Sequence, residues 1–153
     1  MSEESVDPKR LVFPALAGLY QAGSPFAYAF MRFCTGAVLV PHGIQKLMVL
    51  PPDRYAANIA QHGMPFPMLL AWLVVLTESV GAAGLAIGLF TRFCAAAIWI
   101  EMAVIILFYQ WHFGYFWTQR GIEYALLWLL LCTAIFFRGG GRYSVDHYLG
   151  REL

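Results

Sequence analysis

Charge is scarce in this chain: 12% of its 153 residues are Asp, Glu, Lys or Arg, while 60% are hydrophobic. Soluble domains carry charge on about a quarter of their residues, so the composition excludes an ordinary soluble globule and points to a membrane protein. A concentration of one sign of charge is missing as well. The formal net charge is +1 and the basic residues are spread along the chain, which removes the electrostatic footprint of nucleic-acid binding. Cysteine is sparse. Cys34, Cys94 and Cys132 are odd in number, lack CxxC spacing and lie in apolar runs. They outline neither a disulfide framework nor a zinc site, and read as small hydrophobes packed inside. The pattern of a cleaved signal is absent too, because MSEESVDPKR is acidic first and basic second and the apolar run after it is broken by Pro14 and Gly18. The first residues are therefore expected to stay in the cytoplasm. No internal repeat or second domain is visible.

What is present is apolar length. A hydrocarbon core of about 30 Å needs roughly 20 apolar residues per helix, and four runs qualify: residues 25–48, 67–90, 92–111 and 118–137. Ser24 followed by Pro25 predicts the start of the first, as cap and first helical residue. The expected fold is all-α, an integral membrane four-helix bundle with a short N-terminal interfacial helix. Its organisation is a cytoplasmic N-terminus and interfacial helix over residues 1–24, the bundle over 25–137 and a cytoplasmic tail over 138–153. Four crossings place both termini on one side. That side would hold Lys9, Arg10, Arg32, Arg92, Arg138, Arg142 and Arg151 against Lys46, Arg54 and Arg120 opposite, so the termini are expected in the cytoplasm and the protein in a bacterial-type inner membrane. Asp7 and Pro8 predict the capped start of the interfacial helix. PPDRYAANIAQHGMPFP, bracketed by prolines, predicts one or two helical turns at the outer surface.

Against this apolar background, the ionisable residues inside the runs stand out. Placed by a rise of about 1.5 Å per residue, His42, Lys46, Glu78 and Glu123 fall in the outer half of the bilayer. A lone charge there costs about 2.5 to 3.5 kcal/mol on the insertion scale, so such groups turn inward and pair. The expected pairs are Lys46 with Glu123 and His42 with Glu78. Pro41 removes a backbone donor beside His42 and predicts a kink with room for water or a polar head group. Small residues in GAAGLAIG, after Glu78, predict close helix approach. Arg32 and Glu101 are expected to form a second, inner pair. The aromatic segment FYQWHFGYFWTQR reads as an interfacial belt, with a stacking wall for a flat ring as the alternative. His42, His62 and His112 lack the spacing of a ligand set, so no metal is expected.

The order RFCTGAVLVPHGIQKL, QHGMPFP, TESVGAAGLAIGLFTR, GIEYALLWLLL and GGGRYSVD resembles the DoxX family of small four-helix membrane proteins, over most of the chain from Arg32 to Asp146. The resemblance implies association with membrane redox systems, including quinone-linked thiosulfate oxidation and complexes with soluble oxidoreductases. Residue by residue it points to His42, Lys46, Glu78, Arg92, Glu123 and Tyr124. The buried acid and base groups beside aromatics then suggest a quinone as ligand, its head group hydrogen-bonded through His42 and Glu78, with His42, Lys46, Glu78, Glu123 and Tyr124 as the ligand-binding and proton-relay set. No flavin, haem or iron–sulfur motif is visible, so an oxidoreductase partner would supply the redox centre. Two alternatives stand beside this expectation. One is a scaffold that docks an oxidoreductase through its N-terminal helix and tail; the other is a small-molecule carrier, for which homo-oligomerisation would supply the missing walls.

Overall fold

A computed structural model describes residues 7–151; the expected cytoplasmic position of residues 1–6 lies outside that range. Every regular element among the described residues is helical. Asp7 accepts the Lys9 N–H and caps a short 3-10 turn, Pro8–Arg10, as its sequence predicts. A second turn, Pro14–Leu16, leads into α1 (Ala17–Ala37). Pro25 therefore lies within a helix rather than at its start, and Ser24 is not its cap. The expected interfacial helix is thus not one element: residues 11–13 are non-helical, its last residues form the start of α1, and Pro25 lies more than two turns inside that helix at the cost of a backbone hydrogen bond.

Around Pro41, where a kink is expected, the α-helical pattern is interrupted only at Val38 and Leu39, which keep right-handed helical angles, so Pro14–Met48 remains one helical stretch. Helix α1 ends at Ala37, and α2 (Val40–Met48) begins with Pro41 in its first turn, where its missing N–H costs nothing. The surface turns after Pro51 form a ten-residue helix, α3 (Pro52–Gln61). Helix α4 (Pro67–Leu76) continues through a wide π-helical turn, Thr77–Gly81, into α5 (Ala82–Ile87). After a reversal at Gly88, α6 (Thr91–Val104) likewise passes into a π-helical stretch, Ile105–Gln110. Helix α7 (Glu123–Arg138) and a short α8 (Val145–Leu149) complete the chain.

Two helical stretches, Pro67–Ile87 with 21 residues and Thr91–Phe113 with 23, are long and apolar enough to cross a bilayer. The stretch Pro14–Met48 with α3, bent by 99° at the break, counts as a third if the bent pair acts as one span. Helix α7 has 16 residues, about 24 Å of rise, and falls short of a full crossing by length. It starts later than residue 118 because residues 114–122 fold back on themselves: Ile122 and Glu123 donate their N–H groups to the carbonyls of Gly114 and Tyr115.

The surface is apolar where a soluble protein's would be polar. Phe26, Phe30 and Phe33 of α1, Leu73 and Leu76 of α4, Phe93 and Ile100 of α6 and Leu130 of α7 are all exposed, as lipid-facing side chains must be. Inside, Leu85, Ala95, Ile98, Cys132 and Ile135 are fully buried in one cluster. Cys94 and Cys132 pack there as thiols, and Cys34 is half-buried. Close helix approach occurs where GAAGLAIG predicts it. A Cβ on Gly36 would lie 2.3 Å from the Ala82 carbonyl oxygen, so only glycine allows α1 to meet α5 at that distance.

The segment expected to be a tail is built into the fold. Asp146 accepts hydrogen bonds from the N–H groups of Phe90 and Thr91, both at 2.8 Å, and from the Thr91 hydroxyl at 2.6 Å. Its own N–H donates to the Gly88 carbonyl. Arg32 donates to the carbonyls of Leu85, Ala86 and Tyr143, and Tyr28 donates to that of Gly139. Phe90, a non-glycine residue at φ +48°, is held in this costly conformation by the Asp146 contact.

Candidate functional site

Helix α2 lies against the π-helical turn because Gly43 permits it. A Cβ there would sit 2.6 Å from the Ser79 nitrogen and 2.7 Å from the Glu78 carbonyl carbon. One turn beyond this contact, Lys46 donates to Glu78 and forms a buried ion pair with it. The Lys46 ammonium also lies 5.4 Å from the centre of the Tyr55 ring on α3, a cation–π arrangement that lowers the cost of holding charge in an apolar setting. The expected partners are thus exchanged: Lys46 pairs with Glu78, not Glu123, and His42 does not pair with Glu78. His42 is exposed and makes no hydrogen bond or ion pair among the described residues. At about 100° per residue, Lys46 lies between His42 and Gly43 on the helical wheel. Contact runs through the Gly43 side, which leaves His42 facing away.

Glu123 sits at the start of α7, half-buried, and accepts the Trp117 N–H at 3.1 Å. It ties down the 114–122 loop. Tyr124 is exposed and stacks among Trp117 and Trp128, with ring centres 5.3 and 6.5 Å away. Neither reaches the Lys46–Glu78 pair. The aromatic segment is largely exposed at Trp111, Phe113, Tyr115, Phe116 and Trp117, which suits a belt. His62 stacks on Tyr109 at 4.2 Å.

The inner pair is not formed either. Arg32 is consumed by backbone carbonyls, while Glu101 lies against Glu78 and within electrostatic range of Lys46. The physical reason is helical phase and depth. Glu78 stands ten residues before Gly88 and Glu101 ten residues after Thr91, so a hairpin reversing between Gly88 and Thr91 brings both carboxylates to one level. That equal spacing was the signal available in the sequence.

Glu101 is 8% exposed, and neither of its carboxylate oxygens reaches a protein donor in hydrogen-bonding geometry, despite its approach to Glu78. One lysine cannot neutralise two carboxylates, so the balance must come from a proton or a bound donor. Glu101 lines a cavity of about 370 Å³ between α4 and α6, together with Tyr55, Thr77, Tyr109 and apolar side chains of both helices. The cavity is within the range of small-molecule sites, and its apolar walls with a few polar groups match their chemistry. Leu73, Phe93 and Ile100 are at once part of its lining and exposed on the lipid-facing surface, so its mouth opens sideways. From the cavity inward, the polar groups run Glu101, Glu78, Lys46.

The DoxX family model matches residues 27–111. A protein of Haemophilus influenzae described as "Uncharacterized protein" is 33% identical over 128 residues, covering 80% of this chain and 90% of its own length. No solved structure matches the chain. The matched region contains Lys46, Glu78 and Glu101 and stops short of Glu123, Tyr124 and the Asp146 contacts.

Proposed function

The chain belongs to the DoxX family, and we propose that it is a membrane subunit of a redox system that binds a quinone or similar lipid-soluble molecule and works with a partner oxidoreductase. One observation carries this reading: a laterally open apolar cavity ends at a buried carboxylate that no protein donor satisfies. The residues present fit a quinone-type ligand. Apolar side chains suit its ring and chain, and Glu101, Tyr55 and Tyr109 supply polar contacts at one end. When bound, such a molecule would take up two electrons and two protons in passing from quinone to hydroquinone, or release them in the reverse direction. Behind it, the Glu101–Glu78–Lys46 series offers carboxylates between which a proton moves, with Lys46 holding the inner one in place. Electrons pass to or from the partner's redox centre. Within the proposal the protein is a four-helix bundle in the cytoplasmic membrane, α7 completing it. Both ends of the chain lie on the cytoplasmic side, where Tyr28, Arg32 and the 139–146 segment meet beside Arg92, Arg138 and Arg142.

The test is quinone content after gentle purification, extracted and quantified by mass spectrometry for the native protein and Glu78→Gln in parallel. Near-stoichiometric quinone in the native protein and its loss in the variant is the expected result. Quinone in neither would refute the reading. A pure scaffold would retain its partner in both.

A further inference from the structure

We infer that the Tyr55 hydroxyl on α3 and the Thr77 hydroxyl just after α4 together donate to one carbonyl oxygen of a lipid-soluble ligand in the cavity, which makes α3 a ligand-binding element. The inference rests on the function proposed above and names the residues that hold the ligand's polar end.

Hydroxyl groups in apolar helices commonly satisfy themselves on their own backbone. Thr35, Ser79 and Thr133 do so here, each donating to the carbonyl four residues earlier, those of Met31, Val75 and Leu129. Thr77 does not. It stands two residues before Ser79 in the same π-helical turn, lines the cavity and has no hydrogen-bond partner among the described residues. The Tyr55 hydroxyl likewise has none, and Tyr55 lines the same cavity. The third lining hydroxyl, that of Tyr109, is directed at the Met64 sulfur at 3.6 Å. Tyr55 and Thr77 are therefore the two uncommitted hydroxyls of the wall, and they come from different helices. Both belong to its polar end: Tyr55 lies within electrostatic range of Glu78 and Glu101, and Thr77 precedes Glu78 in the chain.

Hydroxyls suit a ligand that changes redox state. A quinone oxygen only accepts hydrogen bonds, whereas the same oxygen in a hydroquinone also donates one. A Tyr or Thr hydroxyl meets either by rotating, since it can both donate and accept. Neither needs a carboxyl group in a particular state, so the sharing of one lysine between Glu78 and Glu101 does not enter. The position of Tyr55 is well fixed. Ala56 and Ile59 of α3 are buried against Ala71 of α4 with the Tyr55 ring packed on them, and the Lys46 ammonium lies 5.4 Å from the centre of that ring. Pro51 and Pro52 hold the turn from which α3 departs.

The experiment reads the carbonyl stretch of a bound probe by infrared spectroscopy, beside its equilibrium uptake, in protein-loaded against empty nanodiscs. Two probes carry an isotope label in the carbonyl carbon and the same short alkyl chain: a benzoquinone and a redox-inert diaryl ketone. In the native protein the band of bound quinone is expected below its position in lipid alone, because donated hydrogen bonds weaken the C=O bond. Tyr55→Phe and Thr77→Val each delete a hydroxyl and keep the side chain's shape. Each is expected to return the band part of the way and to lower uptake about two- to tenfold. Bound quinone whose band stays at the lipid position, or a lowered band that either variant leaves in place, overturns the inference while the redox reading stands. If Tyr55→Phe fails to fold, the native band and Thr77→Val decide. Bound ketone with a band that the variants shift, and no uptake of quinone, sustains the inference and refutes the redox reading. Uptake of neither probe refutes both.

Discussion

Asp146 and Glu101 are both buried carboxylates tied to the same helix, α6, yet they are treated in opposite ways. Asp146 meets the first residue of α6 and accepts two backbone N–H groups and a hydroxyl, at a helix N-terminus that favours negative charge. Glu101, ten residues further on, has no protein donor and faces a cavity. Arg32 and Lys46 differ in the same sense. The guanidinium is spent on three carbonyls, with Nε alone left without a partner, whereas the ammonium holds a second ionisable group in place beside the cavity. A buried charge that is saturated by its own backbone is doing structural work. One left unsaturated at a cavity wall has been kept at a cost in stability, and function is the reason such costs persist.

The contrast breaks most visibly at its saturated end. Asp146→Ala leaves the Phe90 and Thr91 donors buried without an acceptor and releases Phe90 from its left-handed conformation. A loss of about 3 to 5 kcal/mol is expected, read as a lowered midpoint of thermal unfolding in detergent. Gly43→Ala places a Cβ against the backbone of Glu78 and Ser79, forces α2 outward and separates Lys46 from Glu78. The expected cost is about 1 to 3 kcal/mol, and a double-mutant cycle between Lys46→Met and Glu78→Gln should show its coupling energy falling toward zero in the Gly43→Ala background. Glu101→Gln is the smallest change and carries the opposite sign. Replacing a buried carboxyl group that no protein donor satisfies by an amide of the same shape is expected to leave stability within about 1 kcal/mol of native, on the stabilising side. A marked destabilisation there, comparable with that of Asp146→Ala, would show Glu101 to be structural and remove the contrast.

Much of this was legible in the sequence, and what was not has identifiable causes. The helical class, the membrane environment, the Asp7 cap and the small-residue approach at Ala82 and Ala86 follow from composition and spacing. Residue counting puts Lys46 and Glu78 in the same half of the bilayer, but not as partners. Depth follows from counting residues, whereas facing follows from phase, and the π-helical turn at Thr77–Gly81 resets the phase of the helix at Glu78 itself. A helical wheel drawn through α4 does not extend across it. The second π-helical stretch, Ile105–Gln110, carries Tyr109 to the cavity by the same departure. The 138–153 segment reads as a tail because it is polar and glycine-rich at its start. Ser144, which accepts the His147 N–H and caps α8, was the local sign of order, and the role of Asp146 depends on residues some 55 positions earlier.

The contacts of the 139–146 segment also bear on how the molecule is assembled. Tyr28 reaches Gly139 and Arg32 reaches Tyr143, each across 111 positions of sequence. In a two-stage process, apolar helices insert individually and associate afterwards. Until residues 139–146 have been synthesised, Arg32 lacks its Tyr143 acceptor and the turn at Gly88–Thr91 lacks Asp146. The inserted helices are therefore expected to form a loose intermediate first, a natural substrate for quality-control proteases, and to lock only when a segment made after all of them folds back to close the end of the bundle.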